Sequence, residues 1–277
     1  MPSLSYSTVV STLRSAGCVF AEDEAQLIFS TARTPEEAGA MAGRRAAGLP
    51  LEQVLGWAEF HGLRVTVEPG VFVPRRRTEF LVEQALAVGK GAGVVVDLCC
   101  GSGAVGAALA VALDGPELHA ADVHPAAVRC ARGNVAAYGG RVHEGDLFAA
   151  LPDELRGRVD LLAANVPYVP TGEVALLPSE ARDHEPLVAL DGGTDGLDVM
   201  RRVTAEAARW LAPGGSLLVE ASERQVPFAI EAFTRGGLDV RLVVSEELCA
   251  HVLVGTPRSQ GAGVSGPGSP GTPGRSC

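Results

Sequence analysis

One short segment limits what this chain can become. Gly101-Ser102-Gly103-Ala104-Val105-Gly106 stands between the apolar run Val94-Val95-Val96 and a charge-free stretch ending at Leu113. Strand, glycine turn and helix in that order open a parallel sheet, because glycines let the backbone turn sharply and approach a ligand at the helix start. The next strand, Leu118 to Asp122, ends on a carboxylate, placed as a nucleotide-binding sheet would place the acceptor for ribose hydroxyls. Leu98 to Leu113 is too short and too glycine-rich for a membrane span, so a buried strand–turn–helix is expected.

The rest of the chain supports an α/β reading. Helices are expected over Glu79 to Ala87 with Thr78 as N-cap, then Pro125 to Tyr138, Gly196 to Leu211 and Gln225 to Gly236. Strands are expected at Arg141 to Glu144, Val159 to Ala164, Ser216 to Glu220, Val240 to Val244 and His251 to Val254. Continuous apolar strands alternating with helices imply a mostly parallel sheet covered on both faces, with ligands at its carboxyl edge. Upstream, Ser7 to Leu13, Glu22 to Thr31 and a segment opening at Pro35 read as helices; Leu63, Val65 and Val67 alternate with polar residues as in a hairpin strand. The expected division is a helical region over 1–57, a hairpin linker over 58–73, an α/β domain over 74–255 and a disordered Gly/Pro/Ser tail over 256–277.

The nucleotide can be narrowed from its neighbours. Asp97 lies four residues before Gly101; a carboxylate there would oppose a pyrophosphate but suits a ligand with a cationic amino group and a sulfonium, as in S-adenosyl-L-methionine. The alternative is that Asp97 caps turn amides. Cys99, Gly101, Ser102 and Gly103 would lie against this cofactor, with Cys99 and Cys100 filling the turn as unreactive thiols. Asp122 would take the ribose, Asp146 the adenine amino group, and Leu147 a face of the ring; a helix cap and core packing are the plainer alternatives for the last two.

Asn165-Val166-Pro167-Tyr168 follows the fourth strand. An amide or aromatic amine is a poor nucleophile because its lone pair is delocalised. Two acceptors on the NH2 group would localise that pair and aim it. Asn165 offers a side-chain oxygen and Val166 a carbonyl; Pro167 stiffens the loop, and Tyr168 offers a face for stacking. A turn-forming Asn165 and a packed Tyr168 are the alternatives.

With these motifs in place, the chain resembles the glutamine amide-nitrogen methyltransferases of HemK/PrmC type. The likeness spans about residues 50 to 255 and rests on Phe72-Val-Pro-Arg75, Thr78-Glu79, Asp97 to Gly103, Asn165 to Tyr168, Glu185-Pro186, Ala189-Leu190, Gly196-Leu197 and Pro213 to Glu220. It implies a class I S-adenosylmethionine-dependent methyltransferase, Rossmann-like with a seven-stranded sheet, a small helical N-terminal docking domain and a hairpin linker. It also implies a protein substrate whose Gly-Gly-Gln glutamine, in a peptide-chain release factor, is gripped by Asn165, which also borders the cofactor, and by the Val166 carbonyl. Val166 departs from the family's first proline, Arg76 and Arg77 from a proline and an acid. These changes suggest a side branch whose protein substrate need not be a release factor; Arg75-Arg76-Arg77 as a solvated basic run is the plainer reading.

Composition trims the alternatives. At 47% hydrophobic and 20% charged, the chain has material for a large core. Its net charge of −10 argues against a broad nucleic-acid surface, though amino-group methyltransferases acting on bases or small molecules share such loops. The six cysteines show no metal-ligand spacing and no need for disulfides. No metal, no membrane, a cytoplasmic location and a monomer are the expectations. A NAD-dependent oxidoreductase lacks a proton relay here, and a non-catalytic binding protein would be expected to lose Asp97, Asp122 or Asn165.

Overall fold

The computed structural model describes residues 5–258. Its elements are α1 (Tyr6–Ser15), α2 (Ala21–Thr31), α3 (Pro35–Ala46), α4 (Leu51–Leu55), β1 (Trp57–Phe60), β2 (Leu63–Thr66), α5 (Glu79–Val88), β3 (Val94–Leu98), α6 (Ala104–Ala112) and β4 (Glu117–Asp122). There follow α7 (Pro125–Val135), β5 (Arg141–Glu144), β6 (Val159–Ala164), α8 (Ser179–His184), α9 (Leu187–Leu190), α10 (Asp198–Trp210), β7 (Leu211–Ala221), α11 (Val226–Arg235), β8 (Leu238–Ser245) and β9 (Ala250–Pro257).

Seven strands form one sheet in the order β5-β4-β3-β6-β7-β9-β8. The first five run parallel, and β9 lies antiparallel between β7 and β8. Strand order reverses between β3 and β6, and this is where a crevice opens at the carboxyl edge. Side-chain alternation sorts the core into two layers. Val95, Leu161, Ala163, Val252 and Val254 face α5, α6 and the hairpin. Val94, Val96, Leu98, Leu162, Ala164 and Leu253 face Trp210, Phe233 and Met200 on the other side.

The α1–α4 helices enclose a separate apolar cluster that includes Val9, Leu13, Ile28, Met41 and Val54. Ser5 accepts from Thr8 N–H to cap α1, and Thr34 does the same for α3 with Pro35 at its first turn. Arg45 is buried in this unit against Glu24 at 2.7 Å, and its other arm reaches Glu180 on α8, also at 2.7 Å. β1 and β2 pair antiparallel with Phe60 opposite Leu63, the hairpin expected from the alternation.

Several boundaries move. The helix expected from Gly196 begins at Asp198, because Gly196 has φ +77° and its N–H bonds to Gly193 O as the turn closes. Leu211 belongs to β7, which is longer than expected, and α4 is a separate short helix within the region expected to be helical. Thr256 and Pro257, assigned to the tail, lie in β9, where Leu238 and Asp239 pair with them; the remainder of that tail lies outside the described residues. Thr78 does not cap α5. Its backbone is already helical, and its hydroxyl serves elsewhere.

Trp210 shows what the second core layer costs to disturb. It is fully buried, stacks on Phe148 at 5.4 Å and carries Arg156 over its ring at 4.3 Å, yet its indole N–H has no partner. Trp210→Ala should therefore lose about 3–5 kcal/mol in urea unfolding. Trp210→Phe should lose much less, since it keeps an aromatic ring and removes an unsatisfied donor.

Candidate functional site

Sheet register brings the sequence motifs together. Leu98 lies opposite Ala121 on one side and Ala164 on the other. Ala164 in turn pairs with Val219, and Asp122 with Glu144. One step beyond those pairs stand Gly145, Cys99, Asn165 and Glu220, with Asp122 in the same row. Of these, Cys99, Asp122 and Asn165 border a cleft of about 1160 Å³, roomy enough for a nucleoside-sized ligand beside an acceptor.

At one end, the glycine turn wraps the cleft. Asp97 is 1% exposed, and one carboxylate oxygen accepts from Gly106 N–H at 2.9 Å. Gly106 is needed there because a Cβ would sit 3.1 Å from that oxygen. Asp97 thus caps a turn amide and also lines the cleft. Burial pushes its carboxyl up to about 7, with the Asp122 charge adding and the Gly106 N–H opposing. Asp122 accepts from Gly101 N–H at 2.9 Å and His124 N–H at 2.8 Å, so it also shapes the turn. Cys99, Gly101, Ser102, Asp146 and Leu147 line the cleft. Burial pushes the Cys99 and Cys100 thiols up, consistent with unreactive turn fillers. Gly103 differs: it is not among the lining residues, and its αL backbone lets α6 pass α7, where a Cβ would meet Ala131 at 3.1 Å. Asp146 makes no helix cap. It is paired with Arg202 of α10 at 2.6 Å, a partner the sequence did not reveal.

At the other end, Asn165, Val166, Pro167 and Tyr168 line the cleft beside Thr78, Arg75 and Arg77. Asn165 Oδ1 is buried without a hydrogen-bond partner, whereas its Nδ2 faces Thr78 Oγ1 at 3.4 Å. Thr78 donates to Glu220 Oε2 at 2.9 Å. Glu220, 2% exposed, is paired with Arg77 Nε at 2.9 Å and also accepts from the Tyr168 hydroxyl at 3.3 Å. Arg77 further donates to the Tyr168 oxygen and lies over its ring. Burial, reinforced by the Glu220 charge, pushes the Tyr168 phenol up. Arg75 pairs with Glu185 at 2.6 Å, and Glu185 also accepts from Val73 N–H. The basic run is therefore not simply solvated: two of its three guanidiniums hold buried carboxylates, Glu185 at the cleft wall and Glu220 behind it. Glu185 and Glu220 stood in the sequence as family landmarks without a role, and Thr78 was misassigned.

A glycine turn over a buried acid, a second acid ending the next strand and an amide-bearing loop across the switch point define a class I S-adenosylmethionine-dependent methyltransferase. The lining fits that cofactor: Asp97 is a buried carboxyl with one backbone partner at the cleft wall, and a cationic amino group would offset the cost of charging it, whereas a pyrophosphate would add to that cost. Residues 62–176 match the family described as methyltransferase small domain. A release factor glutamine methyltransferase of Geobacter sulfurreducens is 40% identical over 214 residues, covering 76% of this chain and 74% of that one. A 4-amino-L-phenylalanine/4-methylamino-L-phenylalanine methyltransferase of Streptomyces pristinaespiralis is 40% identical over 190 residues, covering 66% and 64%. Among solved structures, a T. thermophilus 16S rRNA methyltransferase in complex with AdoMet and guanosine has the same fold, with TM-score 0.53 and 23% identity over 73% of this chain and 50% of that one. The chain belongs to the release factor glutamine methyltransferase family and is an enzyme that uses S-adenosylmethionine. Among the described residues, no helix is long and apolar enough to cross a membrane.

Asp97 makes the stability of the fold pH-sensitive. Its ordinary value is 3.8 and its folded value about 7, so the folded state holds the proton more tightly, and stability falls as pH rises between those values. The urea midpoint should drop between about pH 5 and about pH 8, and drop less in Asp97→Asn. An equal drop in both proteins would remove Asp97 from that account.

Proposed function

We propose that the protein methylates the side-chain amide nitrogen of a glutamine in a protein substrate, the Gly-Gly-Gln loop of a peptide-chain release factor. The observation that carries this reading is the buried, partnerless Asn165 Oδ1 at the cleft wall. An unsatisfied buried acceptor is costly to keep, and a primary amide or amine is the donor it suits. The Val166 carbonyl supplies the second acceptor. Both N–H bonds are then engaged, the lone pair is localised on nitrogen, and Tyr168, fixed by Glu220 and Arg77, offers its ring to the planar amide.

The cofactor, when bound, supplies an electrophilic methyl group on a sulfonium. Asp97 would hold its amino group, Asp122 its ribose, Asp146 and Leu147 its adenine, and Cys99, Gly101 and Ser102 its flank, with Gly103 shaping the turn and Asn165 bordering the methyl. Catalysis by the chain is then orientation and charge placement. The new C–N bond would form as the methyl–sulfur bond breaks, a neutral thioether would leave, and the nitrogen would then lose one of its two protons to water. The helical 1–57 region would dock the protein substrate, in a cytoplasmic monomer.

A second reading is favoured by one observation, the Streptomyces pristinaespiralis relative: an amino group on a small aromatic molecule would satisfy Asn165 as well. Labelled S-adenosylmethionine with purified release factors, wild type and with the Gly-Gly-Gln glutamine replaced, separates the two. Label on the wild type alone supports the glutamine reading. No label on either, with cofactor bound, overturns the release-factor assignment and favours an aromatic amine, tested in the same assay.

Asn165→Ala should leave cofactor affinity within a few fold and lower turnover by about 100-fold or more. Asp122→Ala should weaken cofactor binding in calorimetry instead. Near-normal turnover in Asn165→Ala would remove that residue from the acceptor site.

A further inference from the structure

We infer that Thr78 is a positioning residue that, polarised by Glu220, dictates which end of the Asn165 amide faces the cleft. The inference rests on the reading of Asn165 as the acceptor grip and extends it to residues that touch neither substrate nor cofactor in that scheme.

An asparagine amide has a donor end and an acceptor end of nearly equal size, so shape alone does not orient it. Here polarity does. Glu220 is paired with the Arg77 guanidinium and accepts only. Thr78 has a single hydroxyl proton, and at 2.9 Å it goes to Glu220 Oε2. Its lone pairs are what remains for Asn165, so the amide must turn its NH2 toward Thr78, as it does at 3.4 Å. Oδ1 is left on the other side, without a partner. With the amide reversed, two acceptors would oppose each other at Thr78, and an NH2 group would confront the substrate's own N–H bonds.

Thr78 and Glu220 are each 2% exposed, so water is poorly placed to take over either role. Sheet register adds rigidity, since Glu220 lies one residue past the Ala164–Val219 pair and Asn165 one past it on the neighbouring strand. Arg77 closes the chain from outside: its guanidinium holds Glu220 as an acceptor, so the direction of every hydrogen bond inward is set from the half-exposed arginine.

The chain has two asparagines, Asn134 and Asn165. Protein labelled with side-chain [15N]asparagine therefore gives two NH2 pairs, and Asn134, bound to the Thr66 and Ser102 carbonyls, is an internal control for folding. In wild type and Thr78→Ser the Asn165 pair should show separated proton shifts and slow solvent exchange. In Thr78→Val, which keeps the shape and loses the hydroxyl, the separation should shrink and exchange should quicken by about tenfold or more. The Asn134 pair should not move. If it does, Thr78→Ala, which adds no bulk, provides the same comparison.

Turnover is measured on the same proteins beside Asn165→Ala. Thr78→Val should lose roughly 10- to 100-fold in kcat with cofactor affinity unchanged, and Thr78→Ser should restore it. An inactive Asn165→Ala beside a Thr78→Val of wild-type turnover and unchanged Asn165 resonances would overturn the positioning role alone. A fully active Asn165→Ala would instead sink the acceptor reading, while the resonances would still report whether Thr78 orients the amide.

Discussion

The parallel pairing of β3 with β6 is the constraint on which the rest of the site depends. These strands adjoin in the sheet but are separated in sequence by two helices and two strands, and chain order reverses across them. Their register sets Leu98 beside Ala164, so the glycine turn and the asparagine loop leave the sheet as neighbours. A slip of one residue would turn Asp97 and Asn165 toward the wrong faces. The apolar layers on both sides, including Leu161, Leu162 and Trp210, resist that slip. In this sense the catalytic geometry is maintained by core packing.

Three buried carboxylates stand at or behind the cleft wall: Asp97 and Glu185 line it, and Glu220 lies behind Thr78, Arg77 and Tyr168. Asp97, Glu185 and Glu220 are all nearly inaccessible. Each is held differently: Asp97 by a backbone amide, Glu185 by Arg75 and the Val73 N–H, Glu220 by Arg77 and Thr78. Removing one partner from such an arrangement leaves an uncompensated buried group, which is far more damaging than losing a surface pair. The three arginines at 75–77 therefore matter for the integrity of the wall as much as for its charge. Arg76 has no such carboxylate among the described residues.

Much of the fold was legible because the signals were local and periodic. The glycine turn, the alternation of Leu63, Val65 and Val67, and the apolar run Val159 to Ala164 each fix an element without reference to anything distant. The positions of Asp97, Asp122 and Asn165 at the carboxyl edge of the sheet were legible for the same reason, since each lies in or just after its own strand. Thr78 was misread because threonine before a helix is a cap by local rules, whereas its hydroxyl answers to Glu220, 142 positions away. Arg202 reaching Asp146 and Arg77 reaching Tyr168 carry no local signature either. The motif names Gly103 for the cofactor, and the structure adds a packing role, since its absent side chain makes room for α7.

The backbone behind the asparagine loop has no spare volume. A Cβ at Gly196 would stand 2.2 Å from the Tyr168 carbonyl oxygen, and one at Gly192 would stand 2.6 Å from that of Pro167, while Gln225 clamps Tyr168 O at 2.8 Å. By contrast, Leu176 and Val188 border the same cleft and are open to solvent. Anyone redesigning this enzyme for a different acceptor thus has a frozen floor and a permissive rim. Directed libraries that leave 192 and 196 as glycine and vary 176 and 188 would sample new acceptors without spending most of their members on misfolded chains.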